Sequence, residues 1–203
     1  MVQARTERDK AEAIVAAGEK LFSRFGYRRT SMDDIAREAG VAKGTLYLYF
    51  DGKAAVFRAM QTRNLEEVNR RCTAVEAQGL GFHEALAGLL EANYGWMHER
   101  YGASEHLVEL GVTRMTVGAD IASAADATYA ARLTALCNLA LDRGEITLAR
   151  FGHDADALIA SVLEAARGAK SEAGEPVPAT RYRQSLMRIA ALAAAAVSPA
   201  PGG

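Results

Sequence analysis

Apolar residues recur along this chain at intervals of three and four, the spacing that keeps one face of a helix out of water. Ile14, Ala17, Leu21, Phe22 and Phe25 predict a first helix, with Lys20 and Arg24 in its last turn and Gly26 as its stop. Ile35, Ala36 and Ala39 predict a second, short one. Ser31 stands where an N-cap is needed, three residues before Asp34, and Asp33 and Asp34 sit at the positive end of the helix dipole. Gly40 follows where a left-handed residue costs least, so the chain can turn within three residues into a third helix. There Leu46 and Phe50 face inward, Gly44, Tyr47 and Leu48 point away, and Lys43, Thr45 and Tyr49 flank them. Val56, Phe57, Met60, Leu65, Val68, Cys72 and Val75 then continue a helical period unbroken by proline or glycine until Gly79, a rod of about 20 residues or more.

The rest of the chain repeats the pattern. Phe82, Leu86, Leu89, Leu90, Tyr94 and Met97 predict a helix ending near Gly102. Ser104 is placed to cap another through Leu107, Leu110, Val112 and Met115, and residues 120–143 (Ile121, Ala125, Leu133, Leu136, Cys137, Ala140) read as a long helix stopped by Gly144. Asp154 caps an alanine-rich helix with Leu158, Ser161, Val162 and Ala165 inward. A loop over 172–178 precedes the last helix, on which Tyr182, Leu186, Ile189, Leu192, Ala193 and Ala196 share a face. No stretch alternates with period two, so the expected fold is all-α. It comprises an N-terminal three-helix head (1–53), a long joining helix and a larger helical domain (54–197), with a polar arm over 1–6 and a disordered tail over 198–203.

Charge separates the two ends. The net charge is −1, but residues 1–60 carry 11 Lys and Arg against 8 acidic residues, net +3, leaving 13 against 17, net −4, for the remainder. The basic end holds the paired short helices. An excess this small points to placed contacts and doubling by a dimer rather than bulk attraction to a polyanion. Cys72 and Cys137 each lie in an apolar helical pattern, which fits buried thiols in a reducing compartment, the cytoplasm. The N-terminus is charged and no run approaches about 18 apolar residues, so neither export nor a membrane is expected. His83, His98, His106 and His153 are not spaced to put two on one helix face, and no phosphate-cradling loop, nucleophile elbow or Cys/His pairing occurs. No metal, cofactor or catalytic residue is expected.

A glycine inside a helix as short as the third costs about 1 kcal/mol relative to alanine, which makes sense if Gly44 lets the backbone approach another surface. Lysine, threonine and tyrosines beside it offer a cation and hydroxyls to phosphates and base edges, as a helix-turn-helix recognition helix must. Spacing alone fits equally a small helical hairpin with a solvated face. Residues 21–57, LFSRFGYRRTSMDDIAREAGVAKGTLYLYFDGKAAVF, resemble the DNA-binding domain of TetR/AcrR-family transcriptional regulators. The matching parts are Phe25-Gly26-Tyr27, Thr30-Ser31-Met32, Ile35-Ala36, Ala39-Gly40-Val41, Lys43 through Tyr47, Tyr49-Phe50 and Lys53. The resemblance implies contacts to double-stranded operator DNA from Ser31, Lys43, Gly44, Thr45, Tyr47, Tyr49 and Lys53. Leu48 and Asp51-Gly52 depart from the family's commoner residues, which bears on base preference.

The resemblance also implies a second domain that encloses a small-molecule effector and pairs with a second copy through its last two helices. Tyr94, Trp96, Met97, His98, Tyr101, Met115 and Tyr129 are the candidate lining of that pocket, being large, polarizable or amphipathic; aromatics at helical spacing are also ordinary core. Arg5, Arg8 and Lys10 on the arm are candidate phosphate contacts, or simply a charged terminus. The expected protein is a cytoplasmic, homodimeric repressor released by a small apolar or amphipathic ligand. The alternatives are a constitutive regulator without a ligand and a helical enzyme carrying a DNA-binding head.

Overall fold

The computed structural model describes residues 2–199, with side chains from residue 7 onward. Its helices are α1 (Val2–Phe25), α2 (Met32–Ala39), α3 (Lys43–Tyr49), α4 (Lys53–Glu76), α5 (Phe82–Leu90), α6 (Trp96–Tyr101), α7 (Leu107–Val117), α8 (Ala119–Asp142), α9 (Ala155–Gly168) and α10 (Ala179–Val197). A π-helical turn, Glu91–Gly95, joins α5 to α6, and a two-residue-per-strand hairpin, β1 (Ser171–Glu172) with β2 (Glu175–Pro176), precedes α10. The all-α reading holds.

The chain packs as two compact units, one of residues 1–66 with Ser104–Ala125, the other of Glu67–Ala103 with residues 126–203. This division differs from a boundary at 53/54, because the first turns of α4 and all of α7 pack with the head.

In the first unit, Ile14, Phe22, Ile35, Leu46 and Val56 are fully buried and Phe57 nearly so, each side chain contributing about 1.5–3 kcal/mol by leaving water. Phe22, Phe57 and Tyr27 meet in a ring triangle with centroids 5.3 to 5.6 Å apart, tying α1, the α1–α2 turn and α4 together. α2 starts as expected: Ser31 accepts from the Asp34 amide at 3.1 Å and the Asp34 carboxylate accepts from the Ser31 amide at 3.1 Å, a reciprocal cap. It ends at Gly40, whose φ of 68° lets its amide return to the helix carbonyls.

The second unit is built around Cys72, Leu89, Leu90, Leu133, Leu158, Tyr182 and Leu186. Burial pushes both thiols, Cys72 and Cys137, up to about 11, so they are protonated and inert at neutral pH.

Several local expectations are corrected. α1 is helical from Val2, where a polar arm over 1–6 was expected. Ser104 does not cap α7; its hydroxyl donates to the Ser23 carbonyl and accepts from the His106 amide. On α7, Val112 and Met115 are exposed while Leu110 and Thr113 are buried. On α9, Ser161 and Ala165 are exposed and Ile159 and Ala166 take the inward places; on α10 Leu192 points out and Ala190 in. The loop at 172–178 is in part the hairpin. Arg5 and, within the expected tail, residues 200–203 lie outside the described side chains.

Candidate functional site

α2 and α3 are joined by a turn too short to allow freedom. Gly40 reverses the chain, and Leu46, with no exposed surface, pins α3 to the core of the first unit. What α3 turns outward is then fixed by its period. Lys43 and Gly44 are exposed, Thr45 is half-buried, Tyr47 is 45 % exposed and Leu48 84 %. A methyl group added at Gly44 would meet nothing within 4 Å, so the glycine serves no internal packing. Tyr49 leans back on the core, leaving its edge at the rim. Lys43, Gly44, Thr45 and Tyr47 thus come together on one small convex face.

The other two predicted residues have internal duties. Ser31 is committed to its cap, and its hydroxyl lies 2.5 Å from Asp34 Oδ2; that bond and the backbone bond from Ser31 hold the Asp34 carboxyl below the usual range. Lys53, the first residue of α4, donates to the carbonyls of Thr30 at 2.9 Å and Arg28 at 3.2 Å, and its ammonium lies 4.5 Å over the Tyr27 ring. Partial burial lowers its pKa, with the Glu109 carboxylate opposing that shift. Lys43 pairs with Asp33 at 2.7 Å, and this hydrogen bond raises its pKa.

Two cations escaped the sequence reading. Arg28 and Arg29 are exposed in the turn between α1 and α2, held by the Lys53 bonds and by the Thr30 hydroxyl on the Gly26 carbonyl at 2.7 Å. The adjacent Arg-Arg in a turn before a helix was visible; what fixed it was not.

The family model for bacterial regulatory proteins of the tetR family matches residues 14–60, which are α1 through the start of α4. Over these residues the chain is similar to TetR-family transcriptional regulators. The HTH-type transcriptional regulator YhgD of Bacillus subtilis is 37 % identical over 87 residues, 41 % of this chain and 46 % of that protein. The HTH-type transcriptional repressor NemR of Escherichia coli is 33 % identical over 76 residues, 37 % of this chain and 38 % of that one. The chain thus spans less than half the length of these curated relatives. A TetR-family transcriptional regulator from Mesorhizobium loti shares the fold with a TM-score of 0.68 at 18 % identity, over 95 % of this chain and 98 % of that one.

In the second unit, the expected effector residues are mostly packed against its core. Tyr129 is buried, donates its hydroxyl to the Leu89 carbonyl at 2.9 Å and meets the Tyr94 ring edge-on at 5.8 Å; burial raises its pKa. His98 is buried, its Nε2 donating to the Val177 carbonyl at 2.6 Å, and its ring meets that of Tyr182 at a tilt, centroids 4.5 Å apart. The Arg71 and Arg100 guanidiniums lie over the Trp96 ring at 5.2 and 5.5 Å, and Met97 packs on the same core. Tyr101 is buried, with Arg100 over its ring at 5.9 Å. Met115 belongs to the other unit and is 57 % exposed. An apolar crevice of about 10 Å³, room for roughly one water, lies instead among Phe82, Leu86, Leu133, Cys137, Leu158, Ile159 and Val162. Among the described residues, no group of three or more His, Cys, Asp or Glu is placed to hold a metal ion, and no helix is long and apolar enough to cross a membrane.

Proposed function

We propose that the protein is a cytoplasmic, homodimeric transcriptional repressor whose α3 reads operator DNA and whose second unit binds a small apolar or amphipathic effector that releases it. The outer face of α3 carries this proposal: Gly44 with open space above it, Lys43 and Thr45 beside it, and Tyr47 and Leu48 exposed although apolar or aromatic. Surface that is costly to leave in water is accounted for if a base edge and a thymine methyl cover it. Ser31, Tyr49 and Lys53 add contacts at the rim, and Arg28 and Arg29 face the flanking phosphates. Further support comes from the tetR-family match over residues 14–60, from the similarity to NemR, which is named a repressor, and from spare apolar surface on the last helix, where Leu192 is 71 % exposed.

The head, 1–53, reads DNA, and 54–197 binds effector and second copy. α4, one uninterrupted helix from Lys53 to Glu76, is the covalent path along which effector binding changes operator affinity.

Selection of duplexes from a random pool with the full chain tests the DNA reading. The expected product is an inverted repeat with half-sites about one helical turn, or a multiple, apart; a pool that shows no enrichment overturns it. A constitutive regulator is the second reading, favoured by the buried, hydrogen-bonded state of Tyr129 and His98. Linkage separates the two. An effector found by Trp96 fluorescence in a panel of apolar and amphipathic compounds must lose affinity on operator by the factor it costs the operator, roughly 5- to 150-fold.

A further inference from the structure

Glu109 lies 81 positions beyond Arg28 in the chain, yet its Oε1 accepts the Arg28 backbone N–H at 2.7 Å. It sits on α7, in the same compact unit as the head. Three further contacts converge on the same turn. Its other oxygen fills the space where a side chain on Gly26 would stand, a position whose φ of 81° itself favours glycine. His106 Nδ1 is 3.7 Å from that oxygen. Ser104, just before α7, donates to the Ser23 carbonyl at 2.7 Å, three residues before the turn begins. From the other side Lys53 holds the carbonyls of Arg28 and Thr30.

The turn is therefore gripped at its amide by α7 and at its carbonyls by α4, while the Arg28 and Arg29 side chains remain exposed. A backbone N–H facing a carboxylate makes a strong, directional contact. An exposed turn with two long cations has no such order of its own, and ordering it only upon binding would cost affinity.

We propose that Glu109 is a positioning residue for DNA binding: it preorganises the α1–α2 turn so that Arg28 and Arg29 meet phosphate, making α7 a second input to the head beside α4. This rests on the DNA-binding proposal above. Any event that shifts α7 by the length of a hydrogen bond frees the turn without moving α3, so it lowers affinity through phosphate contacts while base preference stays the same.

The test uses the full chain, the selected operator and two readouts. Amide exchange at residues 26–30 needs no DNA: Glu109→Ala is expected to raise exchange of the Arg28 N–H roughly tenfold or more, with α2 and α3 protection unchanged, and Glu109→Gln, whose amide oxygen still accepts, is expected to restore most of it. Unchanged exchange in Glu109→Ala overturns the latch. Operator titrations then form a double-mutant cycle. Glu109→Ala is expected to weaken binding roughly tenfold and to lower the salt slope in the native background, but to add less than about twofold when Arg28 and Arg29 are both glutamine. Fully additive losses mean that Glu109 acts on general stability and overturn the positioning role. A native chain that enriches no duplex overturns the DNA-binding proposal itself, whereas a native chain that binds while the cycle is additive overturns only this inference.

Discussion

The Lys43 ammonium lies 2.7 Å from the Asp33 carboxylate, across the turn that joins α2 to α3. The cation at the head of the candidate recognition helix is thus already paired before it meets a phosphate, and both partners are exposed. A phosphate must compete with Asp33, and Asp33 must itself approach a polyanion. Asp33→Asn is therefore expected to tighten operator binding about two- to fivefold at low salt, and Lys43→Ala to weaken it and lower the salt slope by about one contact per subunit. Titrations at several salt concentrations check both; weaker binding by Asp33→Asn would mean that Asp33 orients Lys43 rather than restraining it.

Lys53 is a different kind of lysine. Two of its three donors hold the carbonyls of Arg28 and Thr30, so removing it harms the fold before it harms recognition. Lys53→Met is expected to cost about 1–2 kcal/mol of stability and to weaken DNA binding, whereas Lys43→Ala is expected to leave stability essentially unchanged. Urea midpoints of the two variants decide this. Equal midpoints would return Lys53 to the role of a simple phosphate contact.

The contrast between these lysines marks where the sequence stopped being informative. Ser31, Asp34, Gly40 and Leu46 were legible because cap, turn and core signals act within a few residues. Lys53 and Glu109 do their work on residues 23 and 81 positions away, and nothing local announces such a partner. Register errors have a second cause. In α10 the stretch Ala190 to Ala196 is almost all alanine, so its inward face has no contrast and Leu192 was assigned to it; the structure buries Ala190 and exposes Leu192. Thr113 was missed because its hydroxyl bonds the Glu109 carbonyl at 2.8 Å, which lets it serve as an apolar residue. The hairpin turns on Ala173 at φ 51° and Gly174 at φ 88°, without the Asn-Gly pair that signals such a turn.

Leu192 is also the sharpest probe of the proposed dimer. At 71 % exposure it contributes little to the fold of a single chain, while Leu186, on the same helix, is fully buried. Leu192→Asp is expected to leave helicity and thermal stability within about 0.5 kcal/mol of a monomeric reference and to sediment as a monomer; Leu186→Asp is expected not to fold, because an unpaired buried charge is far costlier. A Leu192→Asp chain that sediments as a dimer would move the interface off this face of α10.

Glu67 links stability to pH. Its carboxylate accepts from Arg70 Nη2 and Nε at 2.7 and 2.8 Å and from Arg71 Nε at 2.7 Å, and these bonds, Arg70's foremost, hold its pKa at about 2 against an ordinary 4.5. A carboxyl with a folded pKa below its unfolded one is more easily ionised in the native state, so its contribution is fully present above about 4.5 and disappears as the pH falls toward 2. The arginines are one turn away on α4, Arg70 mostly in solvent and Arg71 partly so, which limits the gain to less than about 1 kcal/mol and makes it salt-sensitive. Native protein is expected to exceed Glu67→Gln in urea stability at pH 7, and the gap is expected to narrow between pH 4.5 and pH 2. Glutamine has the shape of the protonated acid, so the variant isolates charge from packing. A gap that survives at pH 2 would show that Glu67 stabilises α4 through its stem and not through its ion pairs.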